Sequence, residues 1–589
     1  MKIKHFLGLA VIAAMTASCS SNEDLGTAGP GTGTNEAGAS YASITIDLPT
    51  TRGTRAEIDN FDGGTASEYA VNDATLLIFK KAGTSENDYT FVEKADLGNL
   101  EPWKNVTPAN KGITTEATIT AELKKVTVGE GGDYYALVIL NNKYDDDNKD
   151  KVSMPSSTDT YGTWNAAATV KNLIDYKKGF YMANAPEFKG ADKEPTTLVQ
   201  IKGIYRTKEE AHSKPGATVH VERGLAKVTL SKGTGKDYFT GAKASGTKYS
   251  SDDVKIESWA LDVINKFSFP VHVTAWLKGG FTSTSLTIPS YPEIWSNVSG
   301  KTDRFVSQVS ATGAFKRVYW GIDPNYSMDL SAFAKCGEQF TLAEANGTGV
   351  TWNDGSGSDK PLYCMENTFD INNMLQGQTT RVLLKATYTP SAVASETDKT
   401  FFMIGNSSDI WTVKTLAEQI KSKAEEVLGT TTGVTVTLND GIKAAGTHLL
   451  DATNVTIKSG VDDKTSTIVD QINNKLGLKA ATTTDPIVGI ATYKNGESYY
   501  IARIKHFGDD FTKWEPGNDL YGSNNEKWLG RYGVLRNNWY DLTVNSISGP
   551  GYPDVPKVKP GDPDDEDTKY INVSVKILDW AKRSSTLDL

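Results

Sequence analysis

Short runs in which apolar and polar residues alternate dominate this chain. In 41–48 (YASITIDL), Ala42, Ile44, Ile46 and Leu48 alternate with polar residues, the period of a half-buried strand. Similar apolar runs recur at 74–79 (ATLLIF), Tyr134–Leu140 (YYALVIL), 219–230 (VHVERGLAKVTL), 269–276 (FPVHVTAW), 381–388 (RVLLKATY) and Trp539–Ile547 (WYDLTVNSI). Val, Ile, Thr and Tyr dominate them, and Gly, Asn, Asp and Pro bound them, which predicts a mainly β protein. Tyr493-Lys-Asn-Gly-Glu497, between two such runs, predicts a hairpin. Helical spacing is found in two places. Val413, Leu416, Ile420, Ala424 and Val427 precede a stop at Gly429, and Ile468, Ile472 and Leu476 precede Gly477. Both lie within 407–480, which predicts a helical insertion between strands.

The two ends of the chain are patterned differently. Lys2 and Lys4 precede an apolar run at 6–15 (FLGLAVIAAM), followed by Thr16-Ala17-Ser18-Cys19. This is the layout of a secretory signal peptide, and the run is shorter than the ~20 residues that span a bilayer. A cysteine after small residues fits lipoprotein processing, with Cys19 acylated. Residues 20–40 are rich in Gly, Ser and Thr and predict a flexible tether. The strand at 41–48 is followed at once by 49–55 (PTTRGTR), a polar loop with Arg52 and Arg55. At the far end, 549–568 (GPGYPDVPKVKPGDPDDEDT) predicts an exposed, stiff linker. Beyond it, 570–580 (YINVSVKILDW) alternates again through Ile571, Val573, Val575 and Ile577. A terminal strand held off in this way could join its own sheet or another molecule's.

Charge and composition narrow the function. The 589 residues carry 62 basic and 72 acidic side chains, a net charge of -10, which argues against nucleic acid as a partner. Three cysteines and six histidines cannot build a disulfide framework or a Cys-rich zinc array. The sequence contains no H-E-x-x-H, G-x-S-x-G or P-loop, and no G-x-G-x-x-G after a strand. His220 and Glu222 share a strand face without a third ligand nearby. The acidic run 145–150 lacks the glycine and the glutamate of a calcium loop. No catalytic, cofactor or metal site is therefore expected, and the protein is read as non-enzymatic. Cys336 and Cys364 are open to pairing or to burial as free thiols.

Several longer stretches resemble a known family. These are 363–369 (YCMENTF) with 378–387 (QTTRVLLKAT), and 531–540 (RYGVLRNNWY) running into 542–549 (LTVNSISG). Upstream, 221–228 (VERGLAKV) and 258–262 (SWALD) match as well. Together they resemble the major structural subunit of bacterial type V fimbriae, in particular the minor-fimbrium (Mfa-type) major-subunit family. The resemblance implies two transthyretin-like β-sandwich domains with a small helical insertion in the second. It divides the chain into a signal peptide (1–18), a propeptide with leader strand (19–55), an N-terminal domain (56–218), a C-terminal domain (219–568) and a donor strand (569–589). It implies an outer-membrane lipoprotein precursor, palmitoylated at Cys19 and cut by an arginine-specific surface protease between Arg55 and Ala56, with Arg52 as second choice. The C-terminal strand of another subunit, through Ile571, Val573, Val575 and Ile577, would then fill the vacated groove. The implied partners are identical subunits, anchor and tip accessory subunits, and host or bacterial adhesion ligands. The membrane is met only through the precursor lipid, and the role is adhesion and biofilm formation. An accessory or tip adhesin of the same system is the alternative. A surface glycan-binding lipoprotein is the alternative of another class.

Overall fold

The structure is a computed structural model. It describes residues 39–49, 64–98, 100, 104–105, 113–130, 132–144, 149–167, 170, 173, 175–188, 195–214, 216–273, 316–317, 320–345, 347–357, 359–369, 373–482, 486–506, 530–563, 571–578 and 583–584. It is mainly β, with several sheets.

The first sheet is built from β1 (Ser40–Pro49), β2 (Ala74–Lys80), β3 (Thr90–Gly98), β4 (Lys104–Asn105), β5 (Ile113–Leu123), β6 (Tyr134–Leu140), β7 (Met182–Asn184) and β8 (Ala217–Arg223). Their order is β3-β2-β6-β7-β8-β1-β5-β4. β8 divides its pairing, with 217–220 lying along β1 and 221–223 along β7. A single apolar cluster gathers Ile44, Ile46 and Leu48 of β1 with Leu76 and Ile78 of β2 and Leu137 and Ile139 of β6. The near-continuous apolar runs of β2 and β6 are what a strand covered on both faces needs.

Residues 219–230, expected as one strand, are two. Gly224 separates β8 from β9 (Leu225–Lys232), and β9 belongs to the next sheet. At Gly224 the chain passes from the first sheet, called here the first unit, to the sheets of the second unit. The second unit holds β10 (Asp253–Asp262), β11 (Leu362–Met365), β12 (Arg381–Thr389), β13 (Glu497–Arg503), β14 (Trp539–Ile547) and β15 (Ile571–Leu578). They form the orders β11-β9-β14-β15 and β10-β12-β13, and side chains from both sheets share one apolar cluster.

Between the paired strands β12 and β13 the chain leaves and returns. This excursion contains α1 (Val413–Leu428) and α2 (Thr465–Lys475), at the places where the spacing puts helices. Thr412 and Thr415 cap α1 reciprocally, and Gly429, at φ 66°, ends it. Leu416, Ile420 and Ala424 of α1 meet Ile468 and Ile472 of α2 in a separate apolar cluster.

Three further expectations are corrected. The turn at 493–497 forms, with Asn495 at φ 51° and Gly496 at φ 78°, but it joins different sheets. Ile490–Tyr493 pairs with Phe401–Ile404 and Gly446–His448, while β13 pairs with β12. Turn chemistry sets a local bend and does not by itself choose the partner strand. The run 269–276 is no regular strand where it is described. Pro270 lacks a donor, and only the isolated bridges at Ser268 and Val273 form. Residues 274–276 lie outside the described residues.

The linker at 549–568 is mostly buried or half-buried over its described part, 549–563, with Lys557, Lys559 and Gly561 exposed. Val555 and Val558 are buried in small apolar clusters of the second unit. Tyr500 donates a hydrogen bond to Gly549 O at 2.9 Å, Tyr493 to Gly551 O at 2.8 Å, and Arg381 Nη2 to Pro556 O at 2.5 Å. Proline removes donors but leaves every carbonyl free to accept, so a Pro-rich segment can be strapped down by donors on its neighbours.

Candidate functional site

β1 is an interior strand. It runs antiparallel to β5 along its whole length and parallel to β8 over 44–47. Ala42, Ile44, Ile46 and Leu48 are all fully buried in the first core. Burying these side chains contributes roughly 5–10 kcal/mol as an upper estimate. The opposite face is covered as well, which alternation alone does not predict. Ser43 and Asp47 are each only 5% exposed. Gly216 presses against the strand, and a Cβ there would lie 1.7 Å from the Ser43 carbonyl oxygen. The hydroxyls of Thr45 and Thr118 share a hydrogen bond of 3.0 Å across the β1–β5 pair. Tyr41 exchanges two 2.8 Å backbone hydrogen bonds with Tyr205, and the Ser40 hydroxyl donates to Val126 O at 3.1 Å.

The polar row across β1 at Asp47 is charged. Asp47 stands opposite His220 of β8 and Glu116 of β5. Asp47 Oδ2 lies 3.7 Å from His220 Nε2, and His220 Nδ1 is hydrogen-bonded to Glu187 Oε1. Glu222, two residues on, is instead bonded to His272 at 2.9 Å. The two residues that share a strand face in the sequence thus serve separate carboxylate–imidazole pairs.

Past the dibasic loop, the described chain is tied at Glu68 to the second unit. Glu68, on the short helix Ala66–Tyr69, forms a buried ion pair with Lys227 of β9 at 2.8 Å. Tyr363 of β11 donates its hydroxyl to the same carboxylate at 2.6 Å, and Thr65 N donates to its other oxygen at 2.7 Å. Arg223 Nε donates to Glu68 O at 2.8 Å, and the Lys227 ammonium lies 4.1 Å from the Trp539 ring centre. Burial pushes the Glu68 carboxyl up, but Lys227 and the Tyr363 hydroxyl outweigh it and hold it below its ordinary value. Burial and the neighbouring carboxylate push the Tyr363 phenol well up. Sequence reasoning missed this cluster. Tyr363 and Lys227 sit inside the family-like stretches, but Glu68 lies in an unremarkable polar segment.

β15, the terminal strand, lies antiparallel to β14 of the same chain. Ile571 pairs with Ile547, Val573 with Val544, Val575 with Leu542 and Ile577 with Tyr540. In the single chain the tail is therefore folded back onto its own second unit. Its other neighbour is the two-residue strand Arg583–Ser584.

Cys19, Arg52, Arg55 and Ala56 lie outside the described residues. Cys336 and Cys364 are both free and buried, so the disulfide left open by the sequence is not formed. Cys336 sits on the helix Phe333–Gln339 and donates its thiol to Gly377 O at 3.0 Å, whereas Cys364 lies on β11 in the main second core. Burial pushes both thiols up to about 12.

Residues 491–586 match a family model described as major fimbrial subunit protein type IV, fimbrillin, C-terminal. The match spans β13, β14 and β15. A comparison with curated protein sequences finds no match. Among solved structures, a fimbrilin from Porphyromonas gingivalis W83 is similar at 11% identity, covering 93% of this chain and 99% of its own, with a TM-score of 0.33. The tip fimbrial protein Mfa3 from Porphyromonas gingivalis is similar at 10% identity over 92% of this chain and 100% of its own, with a TM-score of 0.26. A fimbrial assembly protein from Parabacteroides distasonis shares 12% identity over 56% of this chain and 98% of its own, with a TM-score of 0.24. The overall structural likeness is slight in each case. In residues 491–586 the chain is similar to the C-terminal part of fimbrillin-type fimbrial subunits, in line with the resemblance its sequence motifs carry.

Proposed function

We propose that this protein is the shaft subunit of a cell-surface fimbria and polymerises by strand exchange. In this reading the two units are transthyretin-like sandwiches, the second with a helical insertion, and the role is structural, not enzymatic. The precursor is exported as a lipoprotein through Cys19. An arginine-specific protease cuts after Arg55, or after Arg52, and β1 leaves with the propeptide. The tail of another copy, through Ile571, Val573, Val575 and Ile577, enters the slot. One observation carries this reading: the strand that precedes the dibasic loop is an interior strand of the first sheet. Its loss exposes two unpaired edges and an apolar trough, which a β-strand from elsewhere can fill. Head-to-tail repetition of such a contact does not close, so it gives a filament.

The test is deletion of 570–589 in the full chain, with electron microscopy of the cell surface. Fimbriae should be absent, and normal fimbriae would overturn the reading. Replacing both Arg52 and Arg55 by Ala should leave surface protein whose N-terminus lies ahead of residue 52. A mature start still near Ala56 would remove the arginine-specific step.

A further inference from the structure

The tail and the leader share more than alternation. Residues 570–577 (YINVSVKI) repeat 41–48 (YASITIDL) position by position, in the same chain direction. Tyrosine aligns with tyrosine, the apolar residues align at 42, 44, 46 and 48, and Asn572 and Ser574 align with Ser43 and Thr45. Ile571 is larger than Ala42, while Val573 and Val575 are each smaller than the Ile they align with. The four tail side chains together exceed the leader's by a single carbon, a swap that a packed core tolerates.

One position changes sign. Lys576 aligns with Asp47. In the described chain the row across this position reads His220, Asp47, Glu116, Lys104 from β8 through β1 and β5 to β4, with Glu187 on the far side of His220. Asp47 and Glu116 are like charges directly opposite each other on neighbouring strands, a destabilising arrangement. A lysine in place of Asp47 would stand opposite Glu116, with His220 and its Glu187 partner on the other side. The folded-back tail already sets Lys576 opposite an acid, Asp541 of β14.

We infer that the tail of a second copy enters the slot residue for residue, 570–577 on 41–48, and that Lys576 facing Glu116 fixes this register and direction. The inference rests on the strand exchange proposed above. The reverse direction also turns the apolar residues to the core, but it puts Lys576 at position 43. There the strand is buried, faces Thr120 and is pressed by Gly216. That site offers no acid in register. The leader thus sets Asp47 between Glu116 and His220, and the tail gives up the contact with His220 for an attractive pair with Glu116.

Cross-linking reads the register. The Thr45 and Thr118 hydroxyls touch, so Ser574 placed on position 45 should meet Thr118. Full chains carrying Ser574→Cys with Glu116→Cys, Thr118→Cys or Thr120→Cys are expressed, allowed to assemble and oxidised. Non-reducing gels should show a ladder of multimers at Thr118→Cys, at least about threefold stronger than at positions 116 and 120. A ladder at 116 or 120 would overturn the register while leaving strand exchange standing. No ladder at any of the three, with filaments that still require the tail, would also overturn it. Filaments that persist without the tail would overturn the exchange itself. In the second arm, Lys576→Glu should lower filament yield about threefold to tenfold, and adding Glu116→Lys should restore at least half of the loss. A loss that Glu116→Lys does not restore would remove Lys576 as the residue that sets the register.

Discussion

The leader β1 and the tail β15 have matching sequences and different settings. β1 is hydrogen-bonded to β5 along its whole length and to β8 over part of it, and both of its faces are covered. β15 has one long neighbour, β14, and a two-residue one. Withdrawing the tail opens essentially one strand edge. Withdrawing the leader opens two edges and splits a sheet. On the strand exchange proposed above, this difference gives the two strands different means of release. A strand on one neighbour can detach reversibly by local opening, whereas an interior strand leaves only if its covalent link to the fold is cut and a replacement is at hand.

The strongest way to break this comparison is to remove both strands. A chain of 56–569 should lose the calorimetric transition of its first unit or aggregate, because roughly 5–10 kcal/mol of apolar burial is gone. A chain of 56–589, with its own tail available, should retain or recover that transition as it polymerises. Next in size is the tie at Glu68. Lys227→Ala leaves a buried carboxylate without its cation and should cost about 3–5 kcal/mol in denaturant unfolding. Because Glu68 follows the expected cut, the loss should be the same in precursor and mature protein. Ile46→Ala should cost about 2–4 kcal/mol in the precursor and nothing in the mature chain, which no longer contains it. An equal effect in both would show that β1 is retained. The smallest effect is a pH dependence. The Glu68 carboxyl is held below its ordinary 4.5 in the folded protein, so its ionisation adds stability that is present above pH 4.5. That stability is lost as the pH falls through the folded value. The advantage of the native chain over Glu68→Gln in urea should therefore be constant from pH 5 to 7 and shrink below pH 4.5.

Much of the fold could be read from local pattern. The strands at 41–48, 74–79 and Tyr134–Leu140 and the helices near 413–428 and 468–476 stand where periodicity puts them, since side-chain spacing reports which face is buried. Three features escaped it for a common reason: they depend on partners distant in sequence. The turn at 494–496 is local, but the sheets its flanking strands join are set by strands distant in sequence, Phe401–Ile404, Gly446–His448 and β12. The segment 549–563 reads as a linker because its own residues are proline and charge, while Arg381, Tyr493 and Tyr500 hold it down. The burial of Asp47 and Ser43 depends on neighbours distant in sequence, such as His220 beside Asp47 and Gly216 against Ser43, and not on β1 itself. At the candidate site, the leader and tail were legible as strands. Which neighbours each has, and the tie from Glu68 to Lys227 and Tyr363, required the structure.

The parallel pairing of β1 with β8 has a kinetic side. β1 is translated near the start of the chain, yet its second neighbour, residues 217–220, emerges only after nearly all of the first unit. The slot cannot close around β1 until that late segment arrives, so formation of this sheet is governed by a long-range loop closure and is intrinsically slow. While it waits, β1 covers the edge of β5 and keeps an apolar strand from pairing with stray chains. If strand exchange operates as proposed, β1 would then act as a template during synthesis: the first unit is built around a strand of the right length, and the cavity is cast before its final occupant exists.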